Sequence, residues 1–396
     1  MGGRLAAVAS SVNEPLTACV ADLARQHRTV IHCNHAGSSW PKPPGVAKAM
    51  QHALVAAPTE HAALYAQAHA AIVDSFGLPA PERLLLTSSC TQALGLVFAD
   101  LPWQPGDVVI TSSLEHHALA RPVQKLAHER GVVHVRARYR PGLPIDLGVV
   151  EAALRAGRVR LVAVTGASNI TGERLPIAEI AALAHDHGAL LLLDAAQLAG
   201  VVPFTVAELG VDILVFAGHK GMYGPLGIGG FWASPAVEFA CPSAACELGD
   251  RAMGAFRPYP GFCDVGSVNL PGACGLAAAV AWLAALPLEQ RERPLAMAAR
   301  LRGLLRERPY LPVLGGDGPH TATLSLRLSP ARLAAAQVGF ERRGIVVRAG
   351  LHCAPWALAA LAEPAGCLRI SFGPTNDWAD VDAVMAGLES LAAMAR

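Results

Sequence analysis

Short apolar runs rich in Leu, Val and Ile recur along the first two-thirds of the chain, and an amphipathic stretch follows nearly every one. "ERLLLTSS" leads into "CTQALGLVFADL", "DVVITSSLE" into "HHALARPVQKLAHER", "VVHVRA" into the region of "LGVVEAALRAG", and "VRLVAVTG" into "PIAEIAALAHDHG". "ALLLLDA", "DILVFAG" and "GIGGFWA" complete the series. Strands apolar on both faces, alternating with helices of 3.6-residue periodicity, predict an α/β domain. Its sheet should be doubly wound, mostly parallel and covered on both faces.

The texture changes after about Leu286. A charged helix, "LEQRERPLAMAARLRGLLRER", precedes strands at "HTATLSLRL", "GIVVRAG" and "CLRISFG", with "SPARLAAAQVGFERR" between them and a last helix from Asp377. The expected organisation is a large α/β domain over residues 31–286 and a smaller α+β domain over 287–396, joined by the N-terminal segment 1–30.

Composition adds exclusions. The 396-residue chain carries a net charge of +1, so it offers no basic field for nucleic acid. Apolar residues make up 53%, and the longest charge-free stretch is "LPGACGLAAAVAWLAALPL", Leu270 to Leu288. Its uninterrupted part, Ala273 to Leu286, would rise about 21 Å as a helix against a hydrocarbon core of about 30 Å. It therefore reads as a buried helix, with no membrane partner. The start "MGGRLAAVASSVNEP" fits neither a secretory nor a myristoylation signal. Nine irregularly spaced cysteines suggest a reduced, cytoplasmic setting, and "CPSAAC" lacks the second pair a zinc site needs.

Polar clusters gather where strands should end: Thr87 to Thr91, Glu115 to His117, Ser168 with Asn169, Asp194, and His219 with Lys220. Ligands of open α/β sheets sit at that edge. "TSSCTQAL" reads as a strand, a turn of small residues and a helix start, which makes either a phosphate seat or a plain N-cap. Asp194 and Lys220 are a carboxylate and an amine at the ends of two buried strands, where an unshared charge is unfavourable. A pyridine aldehyde reconciles them: Asp194 keeps the ring nitrogen protonated and Lys220 holds the aldehyde as a Schiff base.

Taken together, "TSSCTQAL", "LEHHA", "SNITGERLPI", "LLLDAAQ", "GHKGMYGPLGIG", "RAGLHCAP" and "LRISFGPTN" resemble the class V aminotransferase superfamily of fold-type I pyridoxal 5'-phosphate enzymes. Within it the resemblance is to the cysteine desulfurase and selenocysteine lyase group, over nearly the whole chain. The resemblance implies that Lys220 is the Schiff-base lysine, Asp194 the partner of the pyridinium and Gln197 a donor to the ring oxygen. His116 would stack on the ring face and help move protons. Thr91, His219 and the Cys90 N–H would hold the phosphate, Asn169 would face the ring oxygen or substrate carboxylate, and Arg369 would clamp that carboxylate. It also implies a homodimer in which Ser267 of the neighbour touches the phosphate. Three departures stand out: Ala217 where the family has Ser or Thr, Cys90 where it has Thr, and "NHAGSS" in place of "DNAA" or "DSAA".

Cys353 decides the reaction. It lies between a strand and a helix started by Pro355, beside His352 and near Arg348, surroundings that favour a thiolate. It matches the family's persulfide-forming cysteine. The resulting expectation is a cysteine desulfurase that leaves sulfur on Cys353, releases alanine and passes the sulfur to an acceptor protein. A selenocysteine lyase, a β C–S lyase or an epimerase would use the same cofactor residues, and a non-catalytic sulfur-relay subunit would use none of them. Cys274 and Cys367 read as structural. His185 and His187 in "AHDHG" read as a solvated helix end, and "GPLGIGG" lacks the order of a dinucleotide-binding turn.

Overall fold

The computed structural model describes residues 30–239 and 267–393. Its strands, in chain order, are β1 (Ile31–His32), β2 (Leu84–Thr87), β3 (Val108–Ser112), β4 (Val133–Ala137), β5 (Val159–Thr165), β6 (Leu190–Asp194), β7 (Ile213–Ala217), β8 (Gly229–Ala233), β9 (Thr323–Leu326), β10 (Ile345–Val346), β11 (Arg348–Gly350) and β12 (Cys367–Ser371). Every run expected as a strand forms one. The "CPSAAC" stretch, and the N-terminal segment up to residue 29, lie outside the described residues.

The large sheet has the order β2-β8-β7-β6-β5-β3-β4. All neighbours are parallel except β8, which runs antiparallel to both β2 and β7. The connection from Ala217 to Gly229 contains no helix, so it cannot make the long crossover a parallel return requires. That short return leaves Lys220 at the carboxyl edge of the sheet. Leu191, Leu192 and Leu193 on the central strand β6 are fully buried, each contributing roughly 1.5–3 kcal/mol of apolar burial. This packing fixes the position of Asp194 at the strand's end.

The apolar stretch from Leu270 folds as a helix, Leu270–Ala285, whose Ala273, Leu276 and Ala279 are fully buried. It packs on the helices Pro44–Val55 and His61–Phe76. Among the described residues no single helix is long and apolar enough to cross a membrane.

The second layer holds an antiparallel sheet, β11-β12-β9, and the parallel pair β1-β10. Met297 and Leu301 from the helix Leu288–Arg306 pack in its core with Leu324, Leu326, Leu368 and Ile370. Cys33 belongs to this core, and Asn34 bridges to Ser371. Residues 31–34 thus pair with the smaller sheet, across the boundary the sequence suggested. The reason is topological: a two-residue strand shows no pattern that names its partner.

Candidate active site

Parallel packing brings the ends of β2, β3, β5, β6 and β7 to one edge, and the second layer closes over it with β11 and β12. A cavity of about 220 Å³ results, lined by Thr91, His116, Asn169, Asp194, Gln197, His219, Lys220, Cys353 and Arg369 among others. These are the residues the sequence singled out, with Cys90 also in the wall. Ser267 lies exposed just ahead of the helix Leu270–Ala285.

The cavity wall on the β2 side is the start of the helix Cys90–Asp100. Ser89 caps it by accepting from the Gln92 N–H at 3.1 Å. β8 runs so close that a Cβ on Gly229 would lie 2.8 Å from the Cys90 nitrogen, so only glycine fits there. Cys90 does more than contribute its amide: its thiol donates to Asp194 Oδ1 at 3.5 Å. Asp194 Oδ1 also accepts from the Ala196 N–H at 2.9 Å. Burial raises the proton affinity of Asp194, which Ala196 and Lys220 oppose. Burial likewise lowers that of Lys220, against the pull of Cys90 and Asp194. Both groups are therefore held away from their comfortable charge states until something bridges them.

His116 is the N-cap of the helix His117–Arg130, its Nδ1 accepting from the Ala118 N–H at 3.1 Å. Burial, with Lys220, His117 and two arginines nearby, pushes it down to about 3. The ring is thus neutral and fixed in orientation, as stacking requires. His219 is pushed down to about 4, chiefly by burial and then by Lys220. Its carbonyl accepts from Ser39 N–H at 3.0 Å and from Lys42 Nζ at 2.9 Å. Lys42, in "SSWPKP", therefore braces the peptide next to Lys220, a role the sequence reading missed. Gln197 spends one N–H on the Ala36 carbonyl at 3.0 Å and keeps its remaining groups for the cavity.

Arg369 is almost wholly buried on β12, beside Arg348 in the β11–β12 register. Its Nη1 donates to the Asn169 carbonyl and its Nη2 to Asn34 Oδ1, both at 3.0 Å. Asn169 in turn donates one N–H of Nδ2 to the His352 carbonyl at 2.8 Å, which fixes the orientation of its amide. Burial and Arg348 push Arg369 down to about 10, still cationic at neutral pH.

Cys353 is exposed at the rim, and both it and His352 have left-handed backbones, φ 57° and 50°. Such strain in non-glycine residues marks a loop held by its surroundings. The hold is visible: the Cys353 carbonyl accepts from the His117 N–H at 2.8 Å. His352 does not supply the positive charge expected of it. Its side chain turns inward, Nε2 donates to the Cys367 carbonyl at 2.9 Å, and burial and Arg369 push it down to about 3. Lys220 and Arg369 share the cavity wall with Cys353. Cys367 is buried, and Cys274 lies in the helix Leu270–Ala285. His185 pairs with Asp212 at 2.8 Å, and no metal-binding group occurs among the described residues.

Four buried polar atoms on cavity-lining residues have no protein partner: His219 Nδ1, Asn169 Oδ1, His352 Nδ1 and Arg369 Nε. Buried polar atoms are seldom left so, and four around one cavity describe a site for a polar ligand. Residues 45–384 match the model of the family described as Aminotransferase class-V. The chain belongs to that family. A probable cysteine desulfurase of Pseudomonas aeruginosa is 34% identical over 325 residues, 78% of either chain. Among solved structures, the apo cysteine desulfurase of Thermococcus onnurineus NA1 superposes with a TM-score of 0.81 at 26% identity, covering 92% of this chain and 95% of that one. The cysteine desulfurase CsdA of Escherichia coli gives 0.80 at 26%, covering 95% and 98%. This member of the class-V aminotransferase family uses pyridoxal phosphate, and its residues fit that group. The Cys90 helix start suits a phosphate, Asp194 a protonated ring nitrogen and Lys220 an aldehyde.

Proposed function

We propose that this protein is a cysteine desulfurase that moves sulfur from L-cysteine onto Cys353 and releases alanine. The observation that carries the reading is the placement of Cys353: exposed, on a strained loop tied to His117, at the rim of the cavity that holds Lys220 and Arg369. The named relatives, two described as cysteine desulfurases and one as a probable cysteine desulfurase, support it.

Pyridoxal phosphate, when bound, supplies a sink for the electron pair left as a substrate Cα proton departs. Arg369 anchors the substrate carboxylate through its fork, which no acid in the cavity wall engages. Lys220 Nζ, whose basicity burial reduces, takes the Cα proton and returns it later in the cycle. Asp194 would keep one negative charge for the ring nitrogen, and neutral His116 would cover the ring. Cys353 Sγ, as thiolate, attacks the substrate sulfur. The new S–S bond forms as the substrate's Cβ–S bond breaks, leaving a persulfide on the loop, and the carbon fragment gains a proton to become alanine. We place the enzyme in the cytoplasm as a homodimer, with Ser267 serving the partner's phosphate and an acceptor protein collecting the persulfide sulfur.

The deciding experiment treats the holoenzyme with L-cysteine. One extra sulfur on the Cys353 peptide by mass spectrometry, together with alanine, is expected. Cys353→Ser should abolish sulfide release and keep the visible cofactor band. Full-rate desulfuration by that variant overturns the proposal. Pyruvate with ammonia as the main product would mark a β C–S lyase, an inverted amino acid an epimerase, and turnover of selenocysteine alone a selenocysteine lyase.

A further inference from the structure

Glu115 belongs to none of the roles above, yet it is fully buried one residue before His116. Its Oε2 accepts from the Thr165 N–H at 2.9 Å, and its Oε1 meets the Ser112 hydroxyl at 2.5 Å. Thr165 is the register partner of Asp194 across β5 and β6, and its hydroxyl reaches the Asp194 carbonyl at 3.5 Å. One threonine thus joins the Glu115 carboxyl to the main chain of Asp194 in the interior. We propose that Glu115 is a positioning residue that holds a proton behind Asp194, leaving Asp194 as the single anion facing the cofactor nitrogen. The inference rests on the reading of Asp194 as that nitrogen's partner.

The asymmetry of the partners decides which acid keeps the proton. Asp194 has an N–H donor and the charge of Lys220. Glu115 meets only neutral groups: the Ser112 hydroxyl and backbone from β3, the Thr165 amide from β5, and, next along the chain, a neutral His116. Asp194 on β6 is the charged group that acts on it, and that charge is negative. Two carboxylates sharing a water-poor site do not both ionise. Burial first, and Asp194 among the lesser causes, push Glu115 up to about 8. The Ser112 hydroxyl donates to Glu115 Oε1; with a proton on that oxygen the hydroxyl turns away, and the Ser112 oxygen, which also accepts from the Leu114 N–H at 3.0 Å, has a second lone pair to receive it. Were Glu115 ionised, its field would draw a proton onto Asp194 and weaken the hold on the ring.

The test compares holoenzyme with Glu115→Gln, which keeps the shape and is always neutral. Folding raises the Glu115 proton affinity from 4.5 to about 8. Below the lower value its contribution is fully present, and it is lost as pH rises through the upper one. The wild-type unfolding midpoint should therefore fall relative to that of Glu115→Gln by about 5 °C between pH 5 and 8, then run parallel above. Curves parallel throughout would show a charged Glu115 and overturn the proposal. Glu115→Gln should keep kcat within about three-fold while Glu115→Ala loses at least about ten-fold, and equal losses would also overturn it. Should Glu115→Gln not fold, infrared spectra of native holoenzyme carrying carboxyl-13C glutamate answer the question. A protonated-carboxyl band at neutral pH that is lost in alkali supports the inference, and its absence refutes it. Neither the melting nor the infrared readout needs turnover, so a failure to form alanine would sink the desulfurase reading alone.

Discussion

Arg369 and Asn34, 335 residues apart in sequence, meet through a 3.0 Å hydrogen bond from Nη2 to Oδ1. The acceptor is neutral, and so is the Asn169 carbonyl on the other arm of the fork. The guanidinium is oriented without being neutralised, and under the proposed function its charge serves the substrate carboxylate. An acid at position 34, as in "DNAA" or "DSAA", would compete for it.

Asn34→Asp should therefore raise the KM for L-cysteine by about ten-fold with kcat nearly unchanged, because the lost attraction acts on ground and transition states alike. Steady-state kinetics and the affinity for alanine check the split. Equal affinity in both proteins would show that Asn34 has no part in carboxylate binding.

Ala217 ends β7 in the cavity wall, buried, where a hydroxyl is usual. Ala217→Ser should slow cofactor loss during dialysis by about three- to ten-fold, the equivalent of one hydrogen bond of about 1 kcal/mol. The visible band remaining with time measures it.

His352 predicts an acid sensitivity. Its ionisation is pushed from the ordinary 6.5 down to about 3 in the folded chain. The stability it contributes is present above the upper value and is lost as pH falls toward the lower one, because the unfolded chain binds the proton first. His352→Asn should show a shallower loss of unfolding midpoint between about pH 6 and 4 than the native enzyme, measured by circular dichroism.

Gly172 has φ 75°, and a Cβ there would run into the Thr323 carbonyl on β9. Gly172→Ala should cost about 3 kcal/mol of stability and disturb Asn169 on the same loop. Thermal denaturation reads the first effect, and a raised KM for L-cysteine the second.

The alternation of apolar runs and amphipathic stretches was enough to place the strands and the helices that follow them, because side-chain periodicity is a local property of the chain. The residues at strand ends were legible for the same reason: "LLLLDA" says where a strand stops and which charge stands there. The antiparallel turn of β8, the pairing of β1 with β10 and the Asn34–Arg369 contact were not legible, since each joins segments whose local patterns carry no record of their partners. Nor did "LHCAP" reveal that His352 turns inward, neutral, while Cys353 turns out. Protonation and orientation follow from burial and from the charges gathered around a group, and those exist only once distant strands have packed. The chain alone determined which chemical groups stand at the sheet's edge. Their charge states, and the orientation of the Arg369 guanidinium, were decided by tertiary packing, because an electrostatic environment is a sum over neighbours that folding brings together.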